Sequence, residues 1–398
     1  MKKIELNALQ ILNFTVFLQQ QRYTIAISFL FYLQNGLSLA DFIFFQSIFY
    51  FTCLLAEIPS GYIADILPRK IVIIFSYLLF SLRLIFWLFM PNYYTILLGE
   101  VLYGLSKAFY VGASDGYIYD YLKTQQKHNQ VLSKFGKFNF SMSMGSALSC
   151  LIGAGILKYV GFSILFSIEL FFNITAILIL LFLPNIKPNQ NSFSFKEHAK
   201  NIFSIIKFAA KQDNIKTYIA YTSILFGVTS VFVWNFQPLM KNLEIPVFMF
   251  GVIYFINHVF RALGALNAEY LIKKLSLFKV GKYAWLLYIT SFLLLLAQTI
   301  RGNSVSGILI LIFICISIGF YMVFNVGNIS RIHKLISSTS RATISSINSM
   351  SAALFAGLFL LIFKYIITSY SIKLALIIFL TLFLLSGFLL KKIRTLSE

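Results

Sequence analysis

Apolar runs of about twenty residues, separated by short polar breaks, follow one another along the whole chain and constrain it more than any other feature. A helix rises about 1.5 Å per residue, so a run of that length crosses a hydrocarbon layer of roughly 30 Å. Hydrophobic residues fill 59% of the 398 positions and charged residues 12%. Soluble domains carry about 25% charged residues, and no water-soluble fold of this length can bury so much apolar surface. The chain is therefore expected to sit in a lipid bilayer. Backbone exposed to lipid must satisfy its hydrogen bonds within the segment, so an all-α polytopic membrane protein is expected. A barrel would need short alternating strands, and these runs are continuous. The expected spans are 14–34, 38–60, 71–90, 93–121, 135–157, 162–183, 217–239, 247–269, 282–300, 306–329, 343–365 and 371–390, twelve in all.

The net charge of +20 could suggest a nucleic-acid partner. Its distribution argues against one. Of 33 basic residues, 24 fall at the termini and in the connections after even-numbered spans, five in the connections after odd-numbered spans, and four within spans. Short loops rich in Lys and Arg stay on the cytoplasmic side, which puts both termini there. The connection 184–216 is the longest and divides the chain into bundles at 1–183 and 217–398. Its second piece, 195–212, alternates apolar residues with lysines, as an amphipathic helix lying on the inner membrane face would.

The two halves also match each other. A shift of 204 residues lays Gly61, Asp65, Arg69 and Lys70 on Ala265, Glu269, Lys273 and Lys274, each at the cytoplasmic end of the second span of its half. The same shift lays Lys137 on Arg341. Internal repeats are a hallmark of secondary transporters, whose solute sites lie at the repeat interface near mid-membrane.

Gly61, Asp65, Arg69 and Lys70 have the spacing of the loop signature of the major facilitator superfamily, and the chain resembles that family over essentially its whole length. The stretches 57–65, 112–120 and 341–346 look like its efflux-type members. Pro68 replaces the usual glycine after the acid, and the fifth span has Gly145, Gly153 and Gly155 without the Gly-Pro motif of drug/proton antiporters. The resemblance implies a cytoplasmic gate. Asp65 would meet the start of span 11 near Thr343 and Ser345, and Arg69 would bridge to Asp120, with Glu269 and Arg341 as counterparts.

Ionisable groups at mid-bilayer cost roughly 2.5–3.5 kcal/mol each and mark pathways. Span 4 carries Glu100, Lys107 and Asp115, whose spacings place them on one helical face. Span 1 carries Gln19, Gln20, Gln21 and Arg22. The resemblance implies that spans 1, 4, 7 and 10 line a central cavity. Gln19, Arg22 and Lys107 are then candidates for solute binding, with Trp234, Gln237, Tyr321 and Asn325 from the second half and His258 and Arg261 from span 8. Arg22, Lys107 and Arg261 suit an anionic group. Glu100 and Asp115 are candidates for proton coupling, and Arg83 for pairing across helices.

Neither paired metal-ligand histidines nor a Gly-rich phosphate loop occurs, so neither a membrane enzyme nor direct ATP drive is expected, and no cofactor or metal. The expected function is secondary transport of a small organic solute by a monomer, by proton-coupled export. The exported solute would be a drug, siderophore or metabolite. Uptake of an anionic nutrient is the alternative, and a non-transporting membrane sensor or a membrane enzyme is the alternative of another class. The Lys-, Ile-, Asn- and Phe-rich composition points to an AT-rich bacterial genome and a cytoplasmic membrane.

Overall fold

The computed structural model describes residues 8–126, 131–186, 200, 204, 206–334 and 341–397. These are helical almost throughout. The helices are α1 (Ala8–Gln19), α2 (Ser28–Gln34), α3 (Leu39–Ile66), α4 (Arg69–Phe89), α5 (Tyr93–Thr124), α6 (Val131–Leu180), α7 (Asp213–Asn242), α8 (Val247–Leu266), α9 (Ala268–Leu275), α10 (Leu277–Arg301), α11 (Ser304–Lys334), α12 (Arg341–Ser369), α13 (Ile372–Leu385) and α14 (Gly387–Ser397). Among the described residues ten helices are long and apolar enough to cross a membrane, and two shorter apolar helices precede them. Of the amphipathic helix expected over 195–212, residues 206–211 are helical. Most of the rest of it lies outside the described residues.

One departure from the expected spans and one kink matter for the site. The first span is not one helix. It stops at Gln19 and resumes with a 3-10 turn at Ile25–Ile27 that leads into α2. The polar run that begins at Gln19 is the cause. Gln20 donates to Gln19 (2.9 Å) and accepts from Ser146 (2.9 Å), and Gln21 donates to the Phe17 carbonyl (3.2 Å). The Gln21 amide thus takes up one of the last carbonyls of α1. Irregular backbone at membrane depth is tolerated only where it is buried in protein or lines a cavity. Helix α6 supplies that cover through two glycines. A Cβ at Gly145 would lie 2.6 Å from the Phe17 carbonyl oxygen, and one at Gly153 would lie 1.9 Å from that of Tyr23.

Spans five and six are two helices, as expected, joined without a loop: the 50 residues of α6 kink at Gly161, the one non-helical residue (φ 71°, ψ 174°). A straight helix of that length would reach about 75 Å, more than twice a bilayer. The positive φ at the bend is one that only glycine adopts without cost.

The connections 35–38, 90–92 and 302–303 lie at one end of the molecule, called distal here. Those at 67–68 and 125–126 lie at the other, the terminal end, with α14. There Lys392 on α14 pairs with Asp213 at the start of α7 (3.1 Å), and Tyr117 donates to the Pro184 carbonyl (3.0 Å). The helices before residue 186 and those after 206 meet along two pairs, α6 with α8 and α3 with α12. Gly251 on α8 lies against Cys150 and Ala154, and Gly357 on α12 lies under the ring of Phe51.

Candidate functional site

The break in the first span delivers Arg22 into the protein. One Arg22 Nη donates to the Tyr103 hydroxyl, the other to Gln19 Oε1 (3.2 Å), and the guanidinium lies over the Phe80 ring. Arg83 on α4 stands beside it, stacked on Trp87 (3.9 Å to the ring centroid) and paired with Glu100 on α5 at 3.1 Å. The Tyr32 hydroxyl also donates to Glu100 (2.9 Å). Opposite, Glu169 on α6 accepts from the Thr24 amide (2.6 Å) and hydroxyl (2.7 Å). Arg22, Arg83, Glu100 and Glu169 share the wall of one closed cavity of about 20 Å³, with Thr24, Gln46, Tyr103 and Trp234. Two cations and two anions line it, which is how buried charge is tolerated.

A larger cavity of about 220 Å³ lies between the two sets of helices, toward the terminal end. Its walls include Tyr50, Glu57 and Lys107 from the first set and Tyr321, Asn325 and Asn348 from the second. Lys107 Nζ lies 5.2 Å from the Phe49 ring and 5.9 Å from the Tyr50 ring. No carboxylate lies within ion-pair distance of it among the described residues. Glu57 has Ser346 of the second set as a hydrogen-bond partner, and the charge of Asp115 is close enough to interact with it.

The residues expected to form one cavity are thus divided. Gln19, Arg22, Glu100 and Trp234 belong to the closed cluster, and Lys107, Tyr321 and Asn325 to the larger cavity. His258 and Arg261 stand close together on α8, near Arg22 and Tyr321. Gln237 joins the two sets directly. Its amide accepts from the Phe29 N–H (2.7 Å) and donates to the Ile25 carbonyl (2.9 Å), Ser28 Oγ (3.3 Å) and Tyr254 (3.0 Å). Trp234, one turn away, sets its ring edge-on against Phe42 (5.9 Å). These contacts seal the distal end.

At the terminal end Arg69 bridges Asp65 (3.1 Å) and Asp120 (3.4 Å). Lys70 donates to the Leu181 carbonyl (2.6 Å), and Gly61 lies in the last turns of α3. Gly116 makes room for this arrangement, since a Cβ there would lie 2.8 Å from the Arg69 guanidinium. At the repeat position Glu269 pairs with Lys273 (2.7 Å), and this cation holds the Glu269 carboxyl below its ordinary range. The side chains of Arg341 and Thr343 lie outside the described residues.

These features are shared with known proteins. Residues 11–359 match the model of the Major Facilitator Superfamily. The chain belongs to the major facilitator superfamily. Solved structures of similar fold include the nucleoside transporter NupG, at a TM-score of 0.78 and 14% identity over 98% of this chain and 99% of that one. A POT family transporter in complex with 5-aminolevulinic acid is similar at a TM-score of 0.75 and 14% identity over 98% of this chain and 96% of that one. No curated protein matches the sequence. The fold of this superfamily member is that of a membrane transporter.

Sequence reasoning missed Glu169, Tyr103 and Gln46 in the closed cluster and Glu57 in the larger cavity. Glu169 had a legible signal, because it is the only acidic residue in the apolar stretch 131–180. The others look like ordinary interior residues until the helices are assembled.

Proposed function

We propose that this superfamily member is a secondary transporter that carries a small organic solute with an acidic group by alternating access. The carrying observation is the cavity between the two sets of helices, whose wall Lys107 shares with Asn325, Asn348 and Glu57, with no carboxylate within ion-pair distance of the ammonium among the described residues. An ammonium on an aromatic and amide wall supplies one charged contact and several adaptable polar ones. With the first span counted as one broken crossing and α6 as two, the chain crosses twelve times in two groups of six. The charge distribution supports termini in the cytoplasm of a bacterium. The terminal end then faces inward, and the larger cavity is the inward-facing half of the path.

The Arg69–Asp65–Asp120 bridge and the Glu269–Lys273 pair support a cytoplasmic gate, with Gly61, Lys70 and Arg341 as its other members. The efflux-type likeness of residues 57–65 and 112–120 supports export, and the buried carboxylates support coupling to protons. Uptake of an anionic nutrient would use the same site in the opposite direction.

The test is flux of organic anions into inverted vesicles, with and without a proton gradient. Accumulation that survives collapse of both gradient and potential would sink the coupling. Lys107→Gln is expected to raise the solute KM by about 10- to 100-fold with kcat little changed, because a charge-assisted hydrogen bond contributes about 1.5–3 kcal/mol. An unchanged KM would remove Lys107 from the binding site. For the gate, Asp65→Asn and Arg69→Ala at normal membrane levels are expected to slow transport. Wild-type rates in both would leave the loop as a topology signal.

A further inference from the structure

The closed cluster and the distal seal are joined through two consecutive residues. Glu169 holds Thr24 by its amide and hydroxyl, and the next carbonyl in the chain, that of Ile25, is held by Gln237 of the second set. Ser28 and Phe29, a turn further on, are held by the same amide. One carboxylate thus anchors one side of segment 24–29, and the other set of helices anchors the other side.

We propose that Glu169 is the proton-binding carboxylate of the transport cycle and that its charge state controls the distal seal. This rests on the proton-coupled transport reading and replaces Glu100 and Asp115 as the coupling group. Both hydrogen bonds to Glu169 go to Oε1. A proton on Oε2 therefore leaves Thr24 held, by a neutral carbonyl oxygen instead of a carboxylate. Charge-assisted hydrogen bonds are roughly twice as strong as neutral ones, so protonation loosens Thr24 without releasing it. Glu100 is already engaged, paired with Arg83 and accepting from Tyr32. Glu169 has no cation within ion-pair distance among the described residues, and Arg22 and Arg83 act on it from across the cavity.

The cavity suits one water. Arg22 Nε and Arg83 Nε are buried donors, and Glu100 Oε2 and Gln46 Oε1 buried acceptors, with no protein partner. Two donors and two acceptors around about 20 Å³ are the complement of a single water molecule. A water placed there would bridge the two arginines to Glu100 beside the Glu169 carboxyl.

The other titratable groups facing Glu169 are Tyr23 at the break and Cys150 on α6 itself, while His258 on α8 faces Arg22. The cycle follows from the linkage. The proton binds Glu169 more tightly when the distal end is open, is taken from that side, and leaves to water on the terminal side once the seal reforms. No other bond is made or broken.

The test needs no solute. Spin labels at Gln34→Cys and Phe248→Cys, with Cys53, Cys150 and Cys315 replaced by alanine, report the distal separation in full-length protein in lipid nanodiscs. In this background the long-distance population is expected to grow as the pH falls. Glu169→Gln is expected to hold it at the low-pH level at every pH. Asp115→Asn and Glu169→Asp are expected to keep a titration, shifted in midpoint for the latter. A Glu169→Gln protein that titrates like its background, or a background indifferent to pH, overturns the proposal. If Glu169→Gln fails to assemble, Thr24→Val decides. It removes only the hydroxyl contact and is expected to raise the long-distance population at high pH, and an unchanged population there overturns the proposal. Solute flux with a pH-insensitive distal distance would leave the transport reading standing and overturn this one. A pH-sensitive distance without any solute flux would do the reverse.

Discussion

Arg83→Met is expected to destabilise the protein by about 3–5 kcal/mol, because it leaves a buried carboxylate without its cation. Glu100 is 2% exposed, and its pairing with Arg83 spans 3.1 Å. Trp87 and Tyr103 face the guanidinium, at 3.9 and 4.6 Å from their ring centroids, and the cavity of about 20 Å³ beside Glu100 has room for one water. Of the protein's described groups, Tyr32 alone would still donate to the anion. The double variant Arg83→Met with Glu100→Gln is expected to regain most of the loss, since a neutral amide needs no counter-charge and still accepts from Tyr32. Reversible unfolding in mixed micelles, run on wild type, both singles and the double, gives the coupling directly. If Arg83→Met unfolded within 1 kcal/mol of wild type, on the order of an exposed pair, the buried pair would not be holding α4 to α5.

The second large effect is expected from a glycine where the two sets of helices meet. Gly251→Leu places a Cβ 2.5 Å from the Cys150 carbonyl oxygen and 2.8 Å from Ala154 Cβ. One obstacle is helix backbone and the other is fixed to it, so neither can step aside. Overpacking costs typically 1–3 kcal/mol, and a whole leucine side chain belongs at the upper end. That penalty falls only on the form in which α6 and α8 touch. The ratio of distal-open to distal-sealed protein is expected to rise by about 100-fold, and transport to fall with it. A cysteine placed at Ser230, buried one turn behind Trp234, should become reactive to an impermeant maleimide in the Gly251→Leu protein. Gly155→Ala is the control, because a Cβ there meets nothing within 4 Å. Equal reactivity in the two would show that α6 and α8 separate without regard to Gly251.

Much of this architecture is legible in the sequence because lipid permits few solutions. Apolar length marks the helices, and Arg69 meets Asp120, the contact that the family resemblance implied, and Asp65 as well. The site is less legible, for reasons that particular residues make plain. Glu100, Lys107 and Asp115 share a helical face, and that face passes from the closed cluster into the larger cavity. A shared face therefore did not mean a shared site. The Gln19–Arg22 run read as a polar stripe on a continuous helix. Four consecutive polar side chains in apolar surroundings instead compete for backbone groups and end the helix. Gln237 has the composition of a solute ligand, yet its amide is occupied by the backbone of the second piece of span 1. Whether an amide meets solute or protein is decided by the helix packed against it, which a single sequence does not display.

The terminal-end bridge also bears on how the two halves have diverged. At the repeat positions Asp65 and Arg69 correspond to Glu269 and Lys273, and both pairs form. The third member has no counterpart, because Asp120 falls on Phe324, which packs on Tyr221. In the first half the pair is tied to a neighbouring helix, whereas in the second Glu269 and Lys273 are both on α9 and exposed, with no such tie among the described residues. If the halves arose by duplication, selection has kept the hinge chemistry in both copies and the cross-brace in one. Motion between them would then be lopsided, with the first half as the stiffer body and the second as the part that travels.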